Sequence, residues 1–376
     1  MASIKRQPNG RYQARYRDAK GAEHSQRFDK KKSAQDWLDS VTTATRTGTY
    51  VDPRAGRAMV GDLAPLWLQV KSARVKPSTL AEYDGLLRGH VLPRWRDAQV
   101  STIDTVEVEA WVAELTKAGL SASRTRQAYL VLRGILDTAV KSRRLAVNPA
   151  QRIDLPRPPQ STRRYLTMAQ LERLADAAGD YGLLVRVLGY CGLRWGEATA
   201  LTVCKADLLR SRLLVDCALS DIGGTITVGT TKSHKSREVP VSRFLRDALA
   251  EHIAGGSPDD LIFPAPRGGY LRNGNFRRGC FNRAAVEVGL PGLVPHELRH
   301  TAASLAIRSG ANIKVVQTMM GHASATMTWD LYGHLYDDDL DRMVERLDDA
   351  RAEFLRTKCG QAADNAVNVV ELGRAR

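Results

Sequence analysis

Pro295-His296-Glu297-Leu298-Arg299-His300, followed by Gly321-His322 and, ten residues later, Tyr332, is the stretch that decides how this chain is built. Pro295 suits the first position of a helix, where a missing N–H costs nothing, and Gly310 and Gly321 suit helix ends. On such a helix His296 lies one turn before Arg299 on the same face, so both reach toward one group. The same residues also match H-E-x-x-H, in which two imidazoles one turn apart, here His296 and His300, hold zinc in metalloproteases. That site needs a third ligand, commonly a downstream acid, and no Asp or Glu stands between Glu297 and Asp330. His322 remains as a possible third ligand, so zinc protease chemistry stays as an alternative.

Two further clusters lie upstream: Gly192-Leu193-Arg194-Trp195-Gly196-Glu197 and Thr231-Lys232-Ser233-His234-Lys235. Each alone is a weak signal, because an arginine after an apolar helix is usually a surface ion pair. In the alternative reading they form, together, one site around a phosphodiester. Arg194 and Arg299 supply planar forks that clamp the non-bridging oxygens as negative charge grows. His322, after the Gly321 helix stop, adds a donor. Lys232, between strands, carries an ammonium able to protonate a leaving 5′-oxygen. Tyr332 would be the nucleophile, its phenol activated by the surrounding positive charge. This chemistry requires neither metal nor cofactor.

Outward from the site, the pattern predicts a multidomain α+β chain. Ile4–Gln7, Arg11–Asp18 and Glu23–Phe28 read as a three-stranded sheet, with Pro8-Asn9-Gly10 as a hairpin turn. In the second strand Arg11, Gln13, Arg15 and Arg17 share one face and Tyr12, Ala14 and Tyr16 the other. The basic face fits either a solvated sheet surface or a ribbon entering a DNA groove. Ser33 caps a helix to about Arg46, and residues 48–56 read as a linker. Residues 58–152 are helical, with a capping box at Thr79–Glu82 and a long helix from Ser123 through Tyr129, Leu132, Ile135, Leu136 and Val140. Arg124 and Arg126 in its first turn oppose the helix dipole and suit a docked phosphate. After an extended linker at 153–162, Thr167 and Gln170 box the next helix, with Leu166 and Leu171 as its staple. A small antiparallel sheet is expected from Leu213–Leu219, Thr225–Thr230 and Arg237–Val241, with Gly223-Gly224 as its first turn.

The chain of 376 residues carries 56 Lys+Arg against 41 Asp+Glu, a formal net charge of +15. By segment the net charge is +7 for 1–57, +4 for 58–155, +8 for 156–329 and −4 for 330–376. Three basic segments before an acidic tail suit several separate contacts with a polyanion, nucleic acid being the commonest. No apolar run approaches the roughly eighteen residues of a membrane span, and the first residues hold no export signal. The five cysteines are odd in number and form no C-x-x-C pair, as expected of reduced thiols in a cytoplasmic protein.

With the clusters combined, the chain resembles the tyrosine recombinases, and in particular phage-type integrases. The matching residues are Arg194 in G-L-R-W-G-E, Lys232, His296 and Arg299 in H-E-L-R-H, His322 in G-H and Tyr332 in W-D-L-Y-G-H. The resemblance implies Tyr332 as nucleophile, Arg194 and Arg299 as phosphate clamp, Lys232 as general acid, His296 as acid/base helper and His322 as phosphate donor. It implies Glu197 as the acid that orients the site. Tyr336 lies one turn beyond Tyr332, but the family pattern puts its tyrosine directly before Gly-His, and the Thr-Lys context favours Lys232 over Lys235. Residues 163–355 resemble the catalytic domain, 58–152 the helical core-binding domain of a clamp around DNA, and 1–57 a small arm-binding domain with its linker. The acidic segment after Tyr332 resembles the C-terminal segments that pack onto a neighbouring subunit, and residues 356–376 are the C-terminal tail. Implied partners are double-stranded DNA at core-type and arm-type attachment sites, three further copies in a tetramer on DNA, a host DNA-bending factor and a phage directionality factor. The expected location is the cytoplasm, at the bacterial nucleoid. A type IB topoisomerase shares the chemistry but has no need of an arm-like domain. A non-catalytic DNA binder with a decayed site is disfavoured, since no catalytic position is substituted.

Affinity for duplex DNA is expected to fall by roughly 10³–10⁵ between about 50 and 200 mM salt, as about six to ten phosphate contacts require. Anisotropy titration of a labelled duplex at both salts measures this, and a flat salt response contradicts the basic-domain reading.

Overall fold

The computed structural model of the chain describes residues 2–356 except 19–20, 48–49, 53, 160–163, 231–235, 337–343 and 346. It is multidomain α+β and divides into two units, residues 1–161 and 162–376.

The first unit opens with antiparallel strands β1 (Ser3–Arg6), β2 (Tyr12–Arg17) and β3 (Glu23–Phe28), in that order across the sheet. Alternation along β2 puts Ala14 and Tyr16 inward against Ala34 and Leu38 of α1 (Lys31–Arg46), with Tyr12, Phe28 and Trp37 packed around them. Arg11, Gln13, Arg15 and Arg17 therefore take the outer face. Helix α1 begins two residues before the expected Ser33. Ala34 and Leu38, four apart, must both face the sheet, which draws the preceding turn into the helix.

Helices α2 (Val60–Ser72), α3 (Pro77–Leu86), α4 (Leu92–Trp95), α5 (Thr105–Lys117) and α6 (Ala122–Lys141) follow, with a π turn at Leu87–Val91 joining α3 to α4. Trp67, Leu86, Val91, Trp95, Trp111, Leu132 and Leu136 meet in one apolar core. Each such side chain, fully buried, contributes roughly 1.5–3 kcal/mol. Two expected starts are corrected. Pro77 fixes φ at the first position of α3, so Thr79 lies within its first turn and caps nothing. Ser121, not Ser123, caps α6, its hydroxyl accepting from the Arg124 amide at 3.3 Å. Ala139 is buried where Val140 was expected to be the inward residue.

In the second unit, α7 (Met168–Ala177) carries the expected Thr167–Gln170 capping box, and Leu166 and Leu171 are both buried. Helix α8 (Gly182–Arg186) continues as a π turn, Val187–Cys191, before α9 (Trp195–Ala198). The β region holds two sheets, not one. Strands β4 (Ala206–Asp207), β5 (Arg212–Val215) and β8 (Arg237–Pro240) form one, and β6 (Cys217–Ile222) and β7 (Thr225–Thr230) form a hairpin. The expected single strand Leu213–Leu219 breaks at Asp216, whose carboxylate is drawn aside by Lys205. Helices α10 (Arg243–His252), α11 (Asn273–Phe276), α12 (Asn282–Glu287), α13 (Pro295–Arg308), α14 (Ile313–Met320) and α15 (Ala325–Tyr332) complete the unit. Helix α13 is its axis: Leu298, Ala302, Ala303, Leu305 and Ile307 all belong to the core. Among the described residues no helix is long and apolar enough to cross a membrane.

Gly134 in α6 lies flat against Trp67, and a Cβ there would sit 2.5 Å from the indole Nε1. Gly134→Ala is expected to destabilise by roughly 1–3 kcal/mol through overpacking, despite alanine's gain of about 1 kcal/mol in helix propensity. Gly85→Ala in α3, where the added carbon meets nothing within 4 Å, is the control expected to stabilise. Urea midpoints compare the two, and equal shifts reject the packing account.

Candidate active site

The site forms where four turns of chain meet at the buried face of α13. Pro295 sits at the first helical position, and the Glu297 carboxylate reaches back to the Val294 amide at 2.9 Å. This boxed start fixes the rotation of α13, so that Arg299 points inward while His296 is exposed. His300, one turn after His296, meets it edge to face with ring centroids 5.3 Å apart.

Arg299 is almost wholly buried. Its Nη1 donates to the Gly192 carbonyl, at the end of the π turn, and its Nη2 to the Met320 carbonyl, at the end of α14. Burial, then the neighbouring Arg194, push its pKa down to about 9. Arg194 stands just before α9, where Glu197 accepts from both its amide, at 2.9 Å, and its Nη1, at 2.8 Å. Glu197 is fully buried, which by itself favours the neutral acid. The fork of Arg237 outweighs that, with Arg194 adding to it, and holds the carboxyl at about 2.

Helix α14 ends at Gly321, whose φ of +61° is a left-handed conformation that favours glycine. His322 follows, its Nδ1 in a 2.9 Å hydrogen bond with Thr328 Oγ1. Burial, reinforced by Arg299 and Arg194, lowers its pKa to about 4, so its imidazole is neutral at pH 7. Tyr332 closes α15. Its ring lies parallel to that of His322, with centroids 6.3 Å apart, and its hydroxyl shares a 2.9 Å hydrogen bond with His300 Nδ1. It is 1% exposed. Tyr336, one turn on, gives its hydroxyl to the Ala311 carbonyl at 3.1 Å, away from this cluster.

Arg194, Glu197, Arg299, His322 and Tyr332 are thus brought together from elements more than a hundred residues apart. His296 stands at the edge through His300, and Lys232, with Lys235, lies outside the described residues. Two contributors escaped sequence reasoning. His300 figured there only as a zinc ligand, yet it is the side chain on the Tyr332 hydroxyl. Arg237 had a readable signal: in a strand whose Val239 and Val241 are buried, period two turns Arg237 inward as well, where a charge needs a partner.

The side chains of H-E-x-x-H are otherwise committed, Glu297 to a backbone amide and His300 to Tyr332. Among the described residues the only His/Cys/Asp/Glu group close enough to share an ion is Asp18, His24 and Asp52. There the two carboxylates address different ring nitrogens of His24, at 2.9 and 3.9 Å, which braces the imidazole against Tyr16. The residues expected to meet DNA in the first unit are partly self-paired. Arg11 pairs with Asp29 at 2.9 Å, Arg15 and Arg17 with Glu23 at 3.3 and 3.9 Å, and Arg124 with Glu82 at 3.3 Å. Gln13 bonds Gln7 and Ser25, and Arg126 is half-buried and, with α6 starting at Ala122, lies past the first turn in which it was expected.

Residues 164–339 match the phage integrase family, residues 2–47 the phage integrase N-terminal domain, and residues 59–116 the phage integrase N-terminal SAM-like domain. The chain is 26% identical to the integrase of Mycobacterium phage D29 over 92% of its own length and 96% of that protein. It is 27% identical to the tyrosine recombinase XerD of Pseudomonas putida over 73% of this chain and 91% of that one. In fold it is similar to the Tn1549 transposon integrase in complex with a circular intermediate DNA, at TM-score 0.67 and 22% identity, covering 77% of this chain and 99% of that one. It is also similar to a lambda integrase tetramer bound to a Holliday junction, at TM-score 0.56 and 20% identity, covering 87% and 94%.

Both lowered pKa values make acid destabilising, in separate windows. His322 is depressed from 6.5 to about 4, so the unfolded chain binds that proton first. Its contribution is complete above the unfolded value and drains as pH falls toward the folded one. Glu197, depressed from 4.5 to about 2, loses its contribution only further down. The unfolding midpoint should therefore fall between pH 7 and 4, and less steeply in His322→Gln. Thermal melts across that range decide it, an unchanged slope in the variant counting against the assignment.

Proposed function

The chain belongs to the phage integrase family and is a tyrosine site-specific recombinase, and from that premise we propose how its residues carry out strand exchange. The observation that supports the reading best is the convergence of two arginines, a neutral histidine and a buried tyrosine on one point. That set suits in-line displacement at a phosphodiester.

Tyr332 attacks the scissile phosphorus, forming a 3′-phosphotyrosyl bond as the bond to the 5′-oxygen breaks. The phenol proton passes to an imidazole of α13: His300 already touches the hydroxyl, and His296 stands one turn earlier as helper. Lys232 gives its proton to the departing 5′-oxygen. Arg194, Arg299 and His322 hold the non-bridging oxygens while charge accumulates on them. Because Tyr332 is 1% exposed, α15 must shift before the phenol meets DNA. The ester keeps the energy of the broken linkage, so the 5′-hydroxyl of a partner strand reverses the step and rejoins the DNA.

Two duplexes each cut on both strands call for four active sites, hence a tetramer on DNA with a four-way junction between the two exchanges. The substrate is a pair of attachment sites, one on phage DNA and one on the bacterial chromosome, joined at the nucleoid in the host cytoplasm. Residues 1–57 bind arm-type sites through Arg11, Gln13, Arg15 and Arg17, residues 58–152 grip the core site with Arg124 and Arg126, and residues 163–355 carry the chemistry. One subunit holding two separated sites needs the DNA between them folded back, a task for a host bending factor, while a phage factor sets direction.

The test is covalent capture. The full chain is incubated in EDTA with a pool of nicked duplexes of randomised core sequence, denatured, and resolved for protein–DNA adduct. Wild type and Tyr336→Phe are expected to form it and Tyr332→Phe to form none. Loss in Tyr336→Phe alone reassigns the nucleophile, and activity that requires added zinc sinks the recombinase mechanism.

A further inference from the structure

Arg237 has no part in the phosphate clamp, yet it is the most heavily bonded arginine beside it. It opens β8, directly past residues 231–235, and pairs with Val215 of β5. Its side chain is 7% exposed against the fully buried Glu197. Nη1 and Nη2 donate to the two Glu197 oxygens at 3.1 and 2.7 Å, and Nε donates to the Met319 carbonyl at 3.1 Å.

These bonds couple three parts of the site. Glu197 is shared: its Oε1 also accepts from Arg194 Nη1, and its Oε2 from the Arg194 amide. Two guanidinium groups, of Arg194 and Arg237, thus share one carboxylate. With Arg237 taking most of that carboxylate, Arg194 gives Glu197 a single guanidinium nitrogen besides its amide and keeps the rest of its fork. Without Arg237, Glu197 has only Arg194 to satisfy it in a buried place, and a lone buried charge draws in whatever partner remains. The second coupling is at the end of α14, where Arg237 and Arg299 bond consecutive carbonyls, Met319 and Met320. Cations are favourable at a helix C-terminus, and here they fix where the chain turns into His322. The approach is close: a Cβ on Gly321 would meet Arg237 side-chain atoms at 3.0–3.2 Å.

We propose that Arg237 is a positioning residue for strand cleavage, which takes up the charge of Glu197 and caps α14 so that Arg194 and His322 are both presented to the scissile phosphate. The proposal rests on the recombinase reading above. Arg237 touches no reacting atom; it acts through Glu197 and through the Met319 carbonyl.

The experiment uses the full chain and one nicked duplex, selected from the randomised pool by covalent capture with wild type. Single-turnover adduct formation, affinity for that duplex and the thermal midpoint are measured for each variant. Arg237→Gln is expected to slow adduct formation by roughly 10²-fold, as when a transition-state donor is lost. Affinity should stay within about threefold, the mark of an interaction made in the transition state and not in binding. Arg237→Lys keeps the charge without the fork and should lose roughly tenfold. The deciding variant is Arg237→Gln combined with Glu197→Gln, which removes the carboxylate that would capture Arg194. It should react roughly tenfold faster than Arg237→Gln alone, a coupling that purely structural damage does not produce. Wild-type rates in Arg237→Gln, or a double variant no faster than the single, overturn the proposal. Should Arg237→Gln fail to fold, a wild-type rate in Arg237→Lys overturns it equally. Absence of any adduct from wild type is a separate result and brings down the recombinase reading itself.

Discussion

A single buried carboxylate ties the candidate active site together. Glu197 lies in the first turn of α9, where its backbone position is set by the Gly192 turn that precedes it. Its charge survives burial only because two arginines from separate elements meet it. Such a pair adds little net stability, since the cost of desolvation offsets most of the attraction. What it does contribute is registry: neither α9 nor β8 can slide without leaving a charge buried and unpaired. Arg194, which on the proposed mechanism meets a phosphate, is therefore held by a partner it only half occupies.

Arg299 illustrates the same logic with backbone in place of carboxylate. Its two donors end on carbonyls left over at the close of a π turn and of a helix, groups that need partners in any case. A buried cation facing partial negative charges keeps its place with no counter-ion to cancel it. The cluster around Tyr332 stays net positive, which is what an incoming phosphodiester needs. Burial, reinforced by the same field, keeps His322 neutral. A neutral imidazole thus stands among guanidinium groups, where the proposed mechanism uses it as a hydrogen-bond donor.

Much of this was legible in the sequence, and the parts that were not share a physical cause. Local signals read well: the Thr167–Gln170 capping box, the Gly223-Gly224 turn, the alternation along β2 and the glycine stops at 310 and 321 all rest on interactions within a few residues. Helix starts were misplaced where a local cap competed with packing, as at Ser33, or with proline, as at Thr79. The strand expected across Leu213–Leu219 failed because Asp216 is turned by Lys205, eleven residues earlier, and no periodicity records such a pull. That Arg194, Arg299, His322 and Tyr332 would gather in one cluster was legible because the combination is unusual, and the fold does bring them together. Arg237 and the His300–Tyr332 bond were not, because each takes its meaning from a partner far along the chain.

The arginines of this chain fall into two physical regimes. Those of the first unit, Arg11, Arg15, Arg17 and Arg124, sit in exposed pairs with Asp29, Glu23 and Glu82. Such pairs are worth only about 0–1 kcal/mol each, so a DNA phosphate can replace the carboxylate at almost no cost. On the proposed reading they suit a surface that engages and releases DNA. Arg237 and Arg299 are buried, fixed by several bonds each, and would cost far more to rearrange. That rigidity suits a site where donors must already be in place when charge appears on the phosphate. One residue type thereby serves reversible grip and preorganised chemistry, and burial is what separates the two.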